Sequence, residues 1–202
     1  MGLHYPIPGA ETRIKLRVSN SLFIATVGRA DTVADAKAFI QRIRQEHAKA
    51  THNVHAFVVG YGSSITEGCH DDGEPSGTAG RPVLAVLRGS GLGDTVIVVT
   101  RYFGGTKLGT GGLVRAYGDA AREALAAVPR SEKVERHEVS LAFPYAYFEQ
   151  IKRLVDAHAG RVTQEEFGAA VTLRVSLVAE DVGSFARSVA ELTAGSVDVI
   201  AE

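Results

Sequence analysis

TRYFGGTKLGTGGLVRAYGDAAREALAAV, residues 100–128, carries a strand end, a glycine-rich turn and a long helix in one run. Val96, Ile97, Val98 and Val99 precede it, four branched apolar residues in succession, as in a strand buried on both faces. Beyond the glycines, Leu113, Tyr117, Ala120 and Ala124 recur at three- and four-residue spacing and trace one helical face. Strand, turn and helix together place the chain in the mixed α+β class.

Upstream, Arg13 to Val18 and Ser21 to Val27 have the pattern of paired strands. Thr32 with Asp35 forms a capping box ahead of a helical face of Val33, Ala36, Phe39, Ile40 and Ile43. Val54 to Val59 is a strand, followed by the loop EGCHDDGEPSGTAGRP at 67–82. The run VLAVL at 83–87 is expected to be a short helix, because Pro82 suits an early helical position and Gly89 and Gly91 its end. A strand is the alternative there.

Downstream, apolar residues alternate from Val139 to Phe143, and Phe148, Ile151, Val155 and His158 keep helical spacing up to Gly160. Arg161 to Phe167 and Val171 to Val178 flank Gly168 as a hairpin. Val182, Phe185, Val189 and Leu192 mark a second helix, and Val197 and Val199 a last short strand. The order βαββαβ is that of a ferredoxin-like sandwich. Its outward sheet positions, Ser140, Ala142, Thr172, Arg174 and Ser176, contain no aromatic on which an RNA base would stack.

Composition bounds the class. The chain has 202 residues, 45% of them hydrophobic, enough for a packed core and too many for disorder. Cys69 is the lone cysteine, so no internal disulfide ties the protein to an oxidising compartment. No basic-then-apolar leader opens the sequence, and no stretch approaches ~18 unbroken apolar residues. A soluble cytoplasmic protein without membrane contact is expected. The net charge of −1 hides a split, +4 for residues 1–133 and −5 for 134–202. Two domains are therefore expected, 1–130 and 135–202, joined by a charged linker at 128–134 in which Pro129 ends the preceding helix.

Two elements look chemical. In the acidic loop, Asp71, Asp72 and Glu74 lie within four positions, followed by Ser76 and Thr78. Such carboxylates suit a hard cation or acid/base work, or else a tight turn whose Asp side chains take backbone N–H groups while Ser76 or Thr78 caps the next helix. The spacing matches no metal motif, and neither metal nor cofactor is expected. In the glycine-rich loop, Arg101, Tyr102, Gly104, Gly105, Lys107, Gly109, Gly111, Gly112 and Arg115 surround a helix start. That is a candidate anion site over Gly104 to Gly112. The competing explanation is that the glycines, with Gly118, let this helix pack closely on another backbone. His47, His52 and His55 are not expected to converge, and Cys69 beside His70 lacks a third group to make a nucleophile.

SNSLFIATV (19–27), ATHNVHAFVVG (50–60), DDGEPSGTAGRPVL (71–84) and VVTRYFGGTKLGTGGLVRAYGDA (98–120) resemble the IMPACT family of YigZ-like proteins. The resemblance covers most of residues 15–127, and the part beyond is similar to the small C-terminal domain of bacterial members. It implies an N-terminal fold like the second domain of ribosomal protein S five and a C-terminal fold like the late domains of elongation factor G. It also implies regulation of translation by protein binding and, through likeness of fold, contact with RNA or the ribosome. The expected function is thus a non-enzymatic binding protein with a protein or RNA partner of the translation machinery, engaged by the N-terminal domain. The alternative is a hydrolase acting on an anionic substrate between the two loops.

Overall fold

A computed structural model describes residues 4–201. Two compact units divide the chain, Tyr5–Glu132 and one built on Lys133–Glu202.

The first unit is organised by an antiparallel five-stranded sheet of β2 (Thr12–Val18), β3 (Ser21–Arg29), β4 (His52–Tyr61), β5 (Ser64–His70) and β6 (Thr95–Tyr102), in the order β2-β3-β6-β4-β5. β6 is central, and its residues from Thr95 to Arg101 are buried, because helices cover both faces. On one face α2 (Gly80–Gly89) and α3 (Gly109–Ala127) pack on Phe23, Ala25, Val54, Ala56, Ile97 and Val99. On the other, α1 (Val33–Glu46) places Ala36, Ile40 and Ile43 against Val96 and Val98. The period of two in β6 sends alternate residues to the two cores. Thr32 and Asp35 close the expected capping box at the start of α1.

Two expectations need correction. Residues 67–70 are not loop: they complete β5, which pairs with β4 from Tyr61↔Ser64 to His55↔His70. The strand went unseen because Ser64, Ile65, Thr66, Glu67 and Gly68 form an edge with little apolar alternation. Within the expected linker at 128–134, Arg130–Val134 forms β7 and pairs with β1 (His4–Pro8). Its charged side chains at Arg130 and Glu132 face solvent, while β1 contributes the buried Tyr5 and Ile7. Finally, neither Ser76 nor Thr78 caps α2; the N-cap position is Ala79, which has no capping side chain.

The second unit has the expected order, β8 (Arg136–Phe143), α4 (Phe148–Ala157), β9 (Arg161–Phe167), β10 (Val171–Val178), α5 (Val182–Leu192) and β11 (Ile200–Ala201). Its sheet runs β11-β8-β10-β9, the ferredoxin-like order. Val139, Leu141, Phe143, Leu173, Val175 and Leu177 meet Ile151, Val155, Phe185 and Val189 in its core. Ser140, Ala142, Thr172, Arg174 and Ser176 are all partly or fully exposed. No helix of the described residues is long and apolar enough to cross a membrane.

Candidate functional site

The acidic loop leaves β5 after His70 and enters α2 at Gly80. Asp71 turns its carboxylate onto the start of that helix, accepting from the backbone N–H groups of Gly77 (2.8 Å), Ala79 (3.1 Å) and Gly80 (2.7 Å). Burial opposes ionisation of Asp71, but the three N–H groups outweigh it and hold its carboxyl below the usual range. Asp71 is therefore the cap of α2, supplied from nine residues away. Gly80 has no alternative, because a Cβ there would lie 2.9 Å from the backbone of His70.

Asp72 adopts a left-handed backbone, φ 47°, which aspartate tolerates better than most residues. Its Oδ2 accepts the Asn53 N–H at 2.6 Å, its backbone N–H donates to His70 Nδ1 at 2.9 Å, and Arg44 of α1 pairs with its carboxylate. His52 Nδ1 lies 2.8 Å from the Asp72 carbonyl oxygen. These contacts pin the loop to β4 and α1.

Glu74 points the other way, into the unit. Both Glu74 and Arg101 are buried, and the Arg101 Nη1 donates to Glu74 Oε1 at 2.6 Å while the Tyr117 hydroxyl donates to the same oxygen at 2.8 Å. Arg101 Nη2 reaches Ser21 Oγ at 3.3 Å, and the guanidinium lies 5.5 Å from the ring centre of Phe23 and 5.4 Å from that of Phe103. Its Nε has no hydrogen-bond partner. Burial, then the Glu74 carboxylate, pushes the Tyr117 phenol far above its ordinary range. One ion pair thus joins the acidic loop to the end of β6 and to α3. The two motifs meet in space.

Beyond Arg101 the chain turns through the glycines. Gly104 packs directly on the backbone of Asn20, where any Cβ would collide. Gly105 and Gly109 have φ of +87° and +71°, a region suited to glycine. Close packing does not explain the others: a Cβ at Gly111 or Gly118 would meet no neighbouring atom within 4 Å, and one at Gly112 only the Leu108 side chain at 3.0 Å. Gly111 stands in the first turn of α3, which no side chain caps, so its N–H groups are left for solvent or a ligand. A glycine inside a helix costs about 1 kcal/mol relative to Ala, and nothing within the chain requires this one.

Between the two loops lies a cavity of about 330 Å³, lined by Glu74, Pro75, Arg101, Phe103, Lys107, Leu108, Gly109, Thr110 and Leu113. Its walls are mainly apolar, its floor is the buried ion pair, and the exposed Lys107 stands at its rim. Size and lining suit a small ligand or a single protruding group of a larger one. Sequence reasoning singled out Glu74, Arg101, Lys107 and Gly109 but passed over Phe103, 46% exposed, and the apolar wall of Pro75, Leu108 and Leu113. Phe103 follows Arg101 by two residues, the strand period, and that was the available signal.

The remaining candidates lie elsewhere. Tyr102 faces the α1 side, its hydroxyl 3.0 Å from His47 Nδ1. Ser76 is exposed, and Thr78 donates to the Pro75 carbonyl at 2.6 Å. Arg115 is exposed on α3 and is not among the residues lining the cavity. His55 stacks on His70 with ring centres 5.6 Å apart. Burial, with Asp71 adding to it, pushes the Cys69 thiol up, away from the thiolate a nucleophile needs. Among the described residues no group of three or more His, Cys, Asp or Glu is placed to hold a metal ion.

Comparison with known proteins identifies the family. Residues 19–125 match the model of the Impact N-terminal domain, and residues 141–196 match a domain of unknown function, DUF1949. The chain is 39% identical over 196 residues to the IMPACT family member YigZ of Escherichia coli, covering 96% of both chains. It is 35% identical over 192 residues to an IMPACT family member of Haemophilus influenzae, covering 95% of this chain and 93% of that one. IMPACT family member YvyE of Bacillus subtilis is 36% identical over 182 residues, 90% of this chain and 83% of its own. A solved crystal structure described as a hypothetical protein superposes with a TM-score of 0.73 at 38% identity, covering 98% of this chain and 97% of that one.

Proposed function

The chain belongs to the IMPACT family, and on that premise we propose that it is a non-enzymatic binding protein of translational regulation, meeting a protein or RNA partner of the translation machinery through the cavity face of its N-terminal unit. One observation carries this reading: the three carboxylates of the acidic loop are already engaged. Asp71 caps α2, Asp72 holds β4 and Arg44, and Glu74 is bonded to Arg101 and Tyr117. What the cavity offers is a set of binding groups: Phe103, Lys107, and the uncapped first turn of α3. The +4 charge of residues 1–133 favours an anionic partner surface.

A hydrolase working between the loops needs a carboxylate free to move a proton. Among the described residues lining the cavity, Glu74 is the sole carboxylate, and it is held by Arg101 and Tyr117. Co-sedimentation of the full chain with purified ribosomes, measured against salt concentration, tests the binding reading. Association that weakens as salt rises, and weakens further in Lys107→Ala, is expected. No association, or one indifferent to both salt and Lys107, would refute it.

A further inference from the structure

We propose that the cavity takes a nucleoside phosphate, with the phosphate against the first turn of α3 and Lys107 and the base stacked on Phe103. The inference rests on the reading of this cavity as the binding face and names the chemistry of what enters it. Gly109 and Thr110, which line the cavity at the start of α3, mark the phosphate end. No side chain caps this turn, and a Cβ at Gly109 or at the neighbouring Gly111 would meet no atom within 4 Å, so the space beside its N–H groups is not filled by the described residues. A phosphate fits such a place, because bare backbone lets its oxygens reach several N–H donors at once.

The floor points the same way. Arg101 is 4% exposed and lines the cavity, yet its Nε donates to nothing while Nη1 and Nη2 are both bonded. A buried donor without a partner is uncommon in a folded chain. Above it, Phe103 has the guanidinium 5.4 Å from its ring centre and is nearly half exposed, leaving ring surface for another planar group. Glu74 accepts from Arg101 and from Tyr117 on the same oxygen, Oε1. Its Oε2 remains an acceptor for a base amino group or a sugar hydroxyl. A bare inorganic anion would use the glycine end alone. A nucleotide uses the glycine end, the ring and the carboxylate.

The ligand is either a free nucleotide or one residue of a single RNA strand, and the same titration separates them. Isothermal titration of the full chain with AMP, GMP, CMP, UMP, inorganic phosphate and a single-stranded RNA hexamer gives the affinities. Mononucleotides are expected to bind at least about tenfold more tightly than inorganic phosphate, the worth of one stacked base. Phe103→Ala removes that advantage and leaves phosphate binding unchanged. Lys107→Ala weakens phosphate and nucleotide alike, and unchanged circular dichroism shows that the fold persists. A hexamer binding more tightly than any mononucleotide identifies a strand; equal affinities identify the free nucleotide. No mononucleotide binding, or binding indifferent to both substitutions, overturns the inference. If Lys107-dependent ribosome association survives that result, the cavity face still binds its partner and the nucleotide assignment alone has failed.

Discussion

Replacing Glu74 tests whether the two loops are held together as described. Glu74→Ala removes the acceptor of both Arg101 Nη1 and the Tyr117 hydroxyl. The side chains of Arg101 and Glu74 are only 5% and 4% exposed, so the discount for solvent screening that applies to surface pairs does not apply here. Removing one partner of a buried pair costs about 3–5 kcal/mol, because the other charge stays buried and uncompensated. A domain has only about 5–15 kcal/mol in all. Glu74→Gln retains a carbonyl oxygen at the same place, so the loss is expected to be roughly half as large, from charge rather than shape. Combining Glu74→Gln with Arg101→Met removes the stranded charge and is expected to recover stability relative to Glu74→Gln. Urea unfolding followed by far-ultraviolet circular dichroism gives the free energies, and amide exchange of β6 assigns the transition to the first unit. A loss below about 1 kcal/mol for Glu74→Ala, as for an exposed pair, would refute the buried connection.

Other outcomes follow from the same geometry. Asp71→Ala leaves three N–H groups at the start of α2 without their acceptor, and a loss of about 2 kcal/mol in urea unfolding is expected. Because the Asp71 carboxyl is held below its usual range, that contribution is present above an unfolded pKa of about 3.9 and fades as pH falls through the lower folded value. Gly118→Ala should raise stability by up to about 1 kcal/mol, since the new methyl meets no neighbour within 4 Å in a helix interior; a destabilised variant would show that the space is not there. Burial lowers the pKa of His55 and of His47, so the unfolded chain binds more protons than the folded one in the window below about pH 6.5. Stability is expected to fall as pH drops through that window and the slope to flatten in His55→Gln, measured by urea titrations at successive pH values.

The fold was legible where side-chain period follows burial. β6 is apolar on both faces because both faces are covered, and the strands and helices of the second unit alternate cleanly enough to give their order. β5 and the β1–β7 ribbon were not legible, because edge strands are held mainly by backbone hydrogen bonds that sequence composition does not reveal. In the site, the rule that a helix is capped by its own N-cap residue pointed to Ser76 and Thr78, whereas Asp71 reaches back across the loop. In the sequence Arg101 reads as available positive charge, although it stands in phase with Ile97 and Val99 on the α2/α3 face. That phase placed it in the core beside Glu74, a pairing of residues 27 apart that no local pattern encodes.

Photo-cross-linking tests most directly whether the cavity face is the working surface. Two aromatic positions of similar exposure serve as probes, Phe103 at 46% in the first unit and Phe167 at 57% in the second. A photoreactive phenylalanine analogue at either position, in the full chain inside cells, labels whatever rests against it. The account predicts adducts with RNA or with a component of the translation machinery from position 103, lost in the Lys107→Ala background. Adducts from position 167 alone would contradict it.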